Sequence, residues 1–175
     1  ALDLNRIVLV GHSMGGRNSI VYLSRQPEKI DKFILVDMGP ELNPAGGRSI
    51  RDGWQNNQDV FESREQAFEQ LRAVNQRPPL EHHRTRVFHG LKQLPDGTWT
   101  WKYDKQLRSG GPRPPQTQTP ALNVDDYWRM WAAIPCPILL VRGAVSDLLA
   151  RESAEKMARE NPHCTLVEIA GAGHS

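Results

Sequence analysis

Four short runs of aliphatic residues alternate with helix-like segments near the two ends of the 175-residue chain. No other feature of the sequence constrains the fold as much. The runs are rich in branched residues and bounded by turn residues, which is typical of strands buried on both faces of a parallel sheet. The predicted strands are Ile7–Val10, Phe33–Val36, Ile138–Val141 and Thr165–Ile169. Strands alternating with helices predict an α/β fold, a parallel sheet flanked by helices.

Helix signals occupy the connections between these strands. One helix is predicted from Met14 to about Arg25, where Pro27 ends it. Two more are predicted near Asp125–Ala133 and over Glu152–Glu160, each with small or apolar residues on one face. The chain therefore supplies a helix for each connection, apart from its long middle.

The middle of the chain, residues 41–124, is polar and rich in turn signals. A capping box of Ser63 and Gln66 predicts a helix. Thr98–Trp101, after a turn, is expected to be a hairpin strand or an extended loop, and Gly110–Pro115 a loop. We therefore expect residues 1–40 and 125–175 to form the core, and residues 41–124 to form a lid inserted into it.

Composition excludes several classes of function. Lys and Arg number 22 against 20 Asp and Glu, a formal charge of +2, which is too balanced to indicate binding to nucleic acid or to an anionic membrane. No apolar run has the length of a membrane span, and the first six residues do not resemble a signal peptide. Two cysteines, Cys136 and Cys164, exclude a disulfide scaffold, so a reducing, cytoplasmic location is expected.

The motif with the clearest chemistry is Gly11-His12-Ser13-Met14-Gly15, which fits the pattern G-x-S-x-G. It lies directly after a predicted strand and before a predicted helix, the context of a nucleophile elbow. Small residues two positions before and after the serine are expected because the turn is tight. A phosphate-binding loop is disfavoured because Arg17 and Asn18 replace its lysine and hydroxyl residue.

These residues resemble the α/β-hydrolase family, in its form with a lid inserted in the sheet, from Ile7 to His174. In that family the chain order is nucleophile, acid, histidine. The resemblance implies that Ser13 is the nucleophile, Asp147 the acid and His174 the base. The backbone N–H of Met14 is implied as one donor of the oxyanion hole.

Asp37 is the alternative acid, since it also follows a predicted buried strand. Reactive side chains of a parallel sheet belong on loops at the carboxyl ends of its strands, a condition that both aspartates meet. We favour Asp147 because it lies in Arg142-Gly143-Ala144-Val145-Ser146-Asp147, which matches the usual family pattern more closely. Asp37 is then expected to bond the backbone of its own turn.

The sequence therefore predicts a serine hydrolase that needs no cofactor and acts on small-molecule carboxylic esters. The alternatives of the same fold are a C–C bond hydrolase, a lactonase, a perhydrolase or a ligand-binding protein without activity. A zinc site at His82, His83 and His89 is disfavoured because neighbouring residues of a helix point apart. The resemblance also implies strands and a second oxyanion donor before Ala1, so we expect the chain to be a fragment; its oligomeric state stays open.

Overall fold

The structure is a computed structural model that describes Leu4 and residues 6–48, 58–104 and 121–174. The chain divides into two units, each with its own hydrophobic core. The first unit combines Ala1–Arg48 with Thr119–Ser175, and the second is Ser49–Gln118. These divisions lie within ten residues of the boundaries expected from the sequence, after residue 40 and before residue 125.

A four-stranded parallel sheet forms the centre of the first unit, with the strand order β1-β2-β6-β7. Its strands are β1 (Ile7–His12), β2 (Ile30–Val36), β6 (Ile138–Gly143) and β7 (Cys164–Ile169). All four predicted strands are present, and each is longer than predicted by one to three residues at one end. Since the strands run in parallel, their carboxyl ends meet at one edge of the sheet.

Three helices pack on one face of this sheet. They are α1 (Met14–Leu23), α4 (Val124–Ala132) and α5 (Arg151–Glu160), and a 3₁₀ turn, Pro27–Lys29, precedes β2. Helix α1 packs on β1 and β2, α5 packs on β6 and β7, and α4 lies against both helices. Phe33, Leu35, Leu140, Trp131 and Met157 are fully buried between the helices and the sheet.

The expectation that the strands are buried on both faces is wrong for the described residues. Burial alternates along β1 and β7, and Val8, Val10, Val167 and Ile169 are exposed. The reason is that α1, α4 and α5 all cover the same face. Aliphatic residues on the other face of these strands find no covering helix among the described residues.

The second unit contains a three-stranded antiparallel sheet and two helices. Its elements are β3 (Val60–Phe61), α2 (Arg64–Val74), α3 (Leu80–Gly90), β4 (Leu91–Gln93) and β5 (Trp99–Trp101). The predicted cap is present, since Ser63 Oγ accepts a hydrogen bond from the backbone N–H of Gln66 at 3.1 Å. The expected strand at Thr98–Trp101 is β5, at the centre of this sheet.

Some segments of the chain differ from the prediction or lie outside the described residues. Residues 44–48 are helical and were not predicted to be so. Helix α3 contains His82, His83 and His89, where helical spacing was assumed for the zinc site but no helix was assigned. The loop predicted at Gly110–Pro115 lies outside the described residues. Among the helices that the structure describes, none is long and apolar enough to cross a bilayer.

Candidate active site

The turn between β1 and α1 is as tight as the elbow motif predicts. Ser13 has φ 53°, in the left-handed region that non-glycine residues rarely adopt. A Cβ atom at Gly11 would lie 2.7 Å from the Cα of Gly16, so glycine is required there. Gly15 differs from this expectation, because a Cβ atom there would have no described atom within 4 Å. The steric constraint lies at Gly11 and Gly16.

Ser13 begins a continuous chain of hydrogen bonds. Its Oγ lies 3.0 Å from Nε2 of His174, and Nδ1 of the same ring lies 2.9 Å from Oδ2 of Asp37. An ionised carboxylate can only accept, so Nδ1 carries a proton and donates a hydrogen bond to Asp37. Nε2 is then free to accept from the Ser13 hydroxyl. The imidazole is therefore set to take a proton from the serine.

Asp37 is held firmly in an unusual position. It directly follows β2, is 2% exposed and has φ 46°. Ser13 and Asp37 are the two non-glycine residues with positive φ in the described part of the chain, and strained backbone of this kind is concentrated at functional sites. The backbone N–H of Gly143 donates to Oδ1 at 3.0 Å, and Ser146 Oγ donates to Oδ2 at 2.5 Å.

These contacts determine the charge of Asp37. Burial alone raises the pKa of the carboxyl, because it removes the charged form from water. The hydrogen bonds from His174, Ser146 and Gly143 act in the opposite direction and together outweigh burial. The pKa of Asp37 is therefore held below its ordinary value, so the group is a carboxylate at neutral pH.

The prediction that Asp147 is the acid beside His174 is wrong in this structure, and the alternative, Asp37, occupies that position. The backbone of Asp147 packs against the helical turn at Gly46, where a Cβ atom would lie 2.3 Å from its carbonyl oxygen. Its side chain is exposed. Ser146, one residue earlier in the same motif, is the residue that reaches the hydrogen-bonded chain.

His174 is positioned by contacts between the loops that follow β6 and β7. The N–H of Val145 donates to the carbonyl oxygen of Ala172 at 3.0 Å. Gly143 allows this approach, since a Cβ atom there would lie 2.6 Å from the same oxygen. His12 adds a contact from the elbow, with Nε2 2.9 Å from the carbonyl oxygen of His174 and the two rings 4.8 Å apart. The His174 side chain is 10% exposed.

Three contributors to this site were missed from the sequence. Gly143 and Ser146 lie in the motif on which the choice of Asp147 was based. The sequence pattern therefore pointed to the right loop, but the wrong residue of that loop was selected. His12 lies inside the elbow motif but was given no role, and its Nε2 lies within hydrogen-bond distance of the carbonyl oxygen of His174. Among the described residues, no group of three histidine, cysteine, aspartate or glutamate side chains could hold a metal ion.

Comparison with known proteins decides the family. The sequence profile described as the Alpha/beta hydrolase family matches residues 1–175. The chain belongs to the alpha/beta hydrolase family. Its sheet topology and the elbow at Ser13 agree with this membership.

Individual relatives are similar over nearly the whole chain. A 3-hydroxybutyrate-oligomer hydrolase of Cupriavidus necator is 31% identical over 183 aligned residues, which cover 99% of this chain and 61% of the relative. An esterase of Mycobacterium tuberculosis is 25% identical over 95% of this chain and 54% of its own length. The crystal structure of an alpha/beta hydrolase from Novosphingobium aromaticivorans superposes with a TM-score of 0.79 at 25% identity, covering 98% of this chain and 60% of that one. The chain thus spans a little over half the length of these relatives.

Proposed function

We propose that Ser13, His174 and Asp37 are the catalytic triad of a serine hydrolase that cleaves carboxylic esters of small molecules. The observation that carries this proposal is the continuous hydrogen-bonded chain from the Ser13 hydroxyl through both ring nitrogens of His174 to the Asp37 carboxylate. A serine is a weak nucleophile until an adjacent base takes its proton, and that base works best when a third group fixes its tautomer. All three requirements are met within one site.

The mechanism follows from these positions. Ser13 Oγ attacks the ester carbonyl carbon while Nε2 of His174 takes the hydroxyl proton. The protonated imidazole then passes that proton to the leaving alcohol as the C–O bond of the ester breaks, which leaves an acyl group on Ser13. A water molecule, deprotonated by the same nitrogen, releases the acid and regenerates the serine. Asp37 stays ionised throughout and stabilises the charged imidazole.

The helix after the elbow supports the developing negative charge on the carbonyl oxygen. Met14 is the first residue of α1, and the first backbone N–H groups of a helix have no partner within it. Its N–H is the proposed oxyanion donor, and the positive end of the helix dipole adds to its effect.

Ester substrates are proposed because of the chemistry that the relatives' names state. The Mycobacterium tuberculosis relative is named an esterase, and oligomers of 3-hydroxybutyrate, a hydroxy acid, are joined by ester bonds. The leaving alcohol of an ester must receive a proton. His174, beside the serine nucleophile, can pass on the proton that it took from Ser13. Lactones and activated C–C bonds pass through the same acyl-enzyme, so they are the comparison substrates.

A fluorophosphonate probe tests the proposal, because it reacts covalently with activated serines. We expect one adduct per molecule in the full-length protein, located on Ser13 by peptide mass spectrometry, and hydrolysis of short p-nitrophenyl esters. Ser13→Ala should abolish both. Ser24→Ala is the matched control, since Ser24 makes only a local bond to Val21 at the end of α1. An adduct on another serine, or ester turnover that survives Ser13→Ala, would overturn the proposal.

A further inference from the structure

The side chain of Ser146 uses all of its hydrogen-bonding capacity around Asp37. Its Oγ lies 2.5 Å from Oδ2 of Asp37 and accepts from the backbone N–H groups of Leu148 and Leu149, both at 3.2 Å. A hydroxyl has one proton and two lone pairs. Because the two N–H groups occupy the lone pairs, the proton has one direction left, toward the carboxylate. Ser146 is therefore a fixed donor to Asp37.

Ser146 acts together with the glycine three residues before it. The N–H of Gly143 donates to Oδ1 of Asp37, so the two oxygens of the carboxylate are held from two points of one short loop. The loop is itself fixed, since the N–H of Ser146 donates to the carbonyl oxygen of Gly143 at 2.9 Å. The pattern Gly-x-x-Ser, which begins at the last residue of β6, thus forms a two-point clamp for a carboxylate that follows β2.

The clamp supplies two of the three hydrogen bonds to the Asp37 carboxylate, and the third comes from His174. The backbone of Asp37 is in the left-handed region, and its side chain is buried away from water. Oδ2 accepts from both Ser146 and Nδ1 of His174, so the position of the serine hydroxyl sets the line along which the carboxylate meets the imidazole. Rotation of the carboxylate would misalign Nε2 and Ser13 in turn.

We propose that Ser146 is a positioning residue, which aims Oδ2 of Asp37 at His174 and acts on Ser13 through that pair. This inference rests on the proposed serine hydrolase. The proposal also changes which residues of the motif at the end of β6 serve the reaction. They are Gly143 and Ser146, and the neighbouring Asp147 is not required.

The test compares Ser146→Ala with Ser146→Thr, which keeps the hydroxyl, in the full-length protein. We expect Ser146→Ala to lower kcat for a p-nitrophenyl ester by about 10- to 100-fold, as loss of a hydrogen bond to a charged group does, with KM little changed. Ser146→Thr should restore most of kcat, and Ser24→Ala should match the wild type. A folded Ser146→Ala protein with unchanged kcat, or a folded Ser146→Thr protein as slow as the alanine variant, would contradict the inference.

A double-mutant cycle shows whether Ser146 acts through Asp37. If it does, Ser146→Ala should lower the residual kcat of an Asp37→Asn protein by less than about twofold, since interacting residues are not additive. A further loss of about tenfold in that background would mean that Ser146 works independently of Asp37. Should Ser146→Ala melt below the assay temperature, Ser146→Cys, whose thiol is a weak donor, replaces it with the same expected pattern.

A spectroscopic measurement separates this inference from the proposed function. We expect the proton between Nδ1 of His174 and Asp37 to give a far-downfield proton NMR signal, which can be recorded without substrate. We expect Ser146→Ala to shift or broaden this signal and Ser146→Thr to retain it. A signal that Ser146→Ala leaves unchanged would overturn the positioning role, whereas absence of Ser13 labelling and ester turnover in the wild type would overturn the hydrolase proposal alone.

Discussion

At the scale of single residues, Asp37 has the most demanding position in the described chain. A nearly fully buried carboxylate with strained backbone is unfavourable unless hydrogen bonds compensate for the lost water. Three donors do so, from His174, Ser146 and the backbone of Gly143. The hydrogen bonds that offset the cost of burying this carboxylate also keep it ionised and oriented toward the imidazole.

The lowered pKa of Asp37 predicts how stability depends on pH. Because the folded pKa lies below the ordinary value of 3.8, this carboxylate stabilises the folded state fully above about pH 4, and the contribution is lost as the pH falls through the lowered pKa. We expect the difference in free energy of unfolding between wild type and Asp37→Asn to shrink steadily from pH 5 to pH 3. Urea unfolding at intervals across this range measures it.

Asp147→Asn provides the matched control for that measurement, since it removes an exposed carboxylate from the adjacent loop. A difference between wild type and Asp37→Asn that stays constant or grows on acidification would show that the native contacts do not favour the charged form of Asp37.

Sequence reasoning selected Ser13 and His174, which the structure brings together, and it named Asp37, the residue beside His174, as the alternative acid. Ser13 was recognisable because the elbow needs a local pattern of neighbours in the chain. The choice between Asp37 and Asp147 depends on contacts across the sheet, where residues 37, 146 and 174 meet. Ser146 and Asp147 are neighbours in the loop after β6, and only Ser146 points at Asp37. No local sequence pattern shows which of the two does so.

At the scale of elements, the junction of β1 and α1 shows which glycines the elbow requires. Gly11 and Gly16 face one another across the turn, and a Cβ atom on Gly16 would also lie 2.5 Å from Cδ1 of Leu35. Gly15 lies in the first turn of α1 with open space around it and without a positive φ. The two outer glycines of the G-x-S-x-G pattern therefore have different physical roles.

This difference predicts opposite effects of two alanine substitutions. Gly11→Ala should destabilise the fold by about 1–3 kcal/mol, because its Cβ meets backbone that must move. Gly15→Ala should change stability by less than about 1 kcal/mol and in the favourable direction, since alanine is the better helix former. Chemical unfolding of both variants beside wild type checks this, and equal destabilisation would refute the account of the turn.

Elements with strong local signals were predictable and those without were not. The strands of the parallel sheet are continuous aliphatic runs, and α4 has a complete capping box between Asn123 and Asp126. Helix α3 has no side-chain cap and buries only His83 and Val87, so its sequence reads as a polar connection. Packing on α2 and on the core of the second unit stabilises it, a contribution that sequence periodicity does not reveal.

At the scale of the whole molecule, the described residues that meet in the candidate site all belong to the first unit. Ser13, Asp37, Ser146 and His174 come from four segments spread over more than 160 positions of the chain. The parallel sheet brings them together because each follows the carboxyl end of a different strand. Residues 49–118, the second unit, therefore separate Asp37 from Ser146 and His174 in sequence, while these three residues meet in space.

The rate at which a fluorophosphonate labels Ser13 tests the central claim most directly, because it reports activation of the nucleophile without knowledge of the natural substrate. We predict that Asp37→Asn slows labelling by about 10³- to 10⁴-fold, as loss of the orienting carboxylate does in such triads, while Asp147→Asn labels at the wild-type rate. Melting temperatures confirm that both variants are folded. Fast labelling of Asp37→Asn together with loss of labelling in Asp147→Asn would contradict the account.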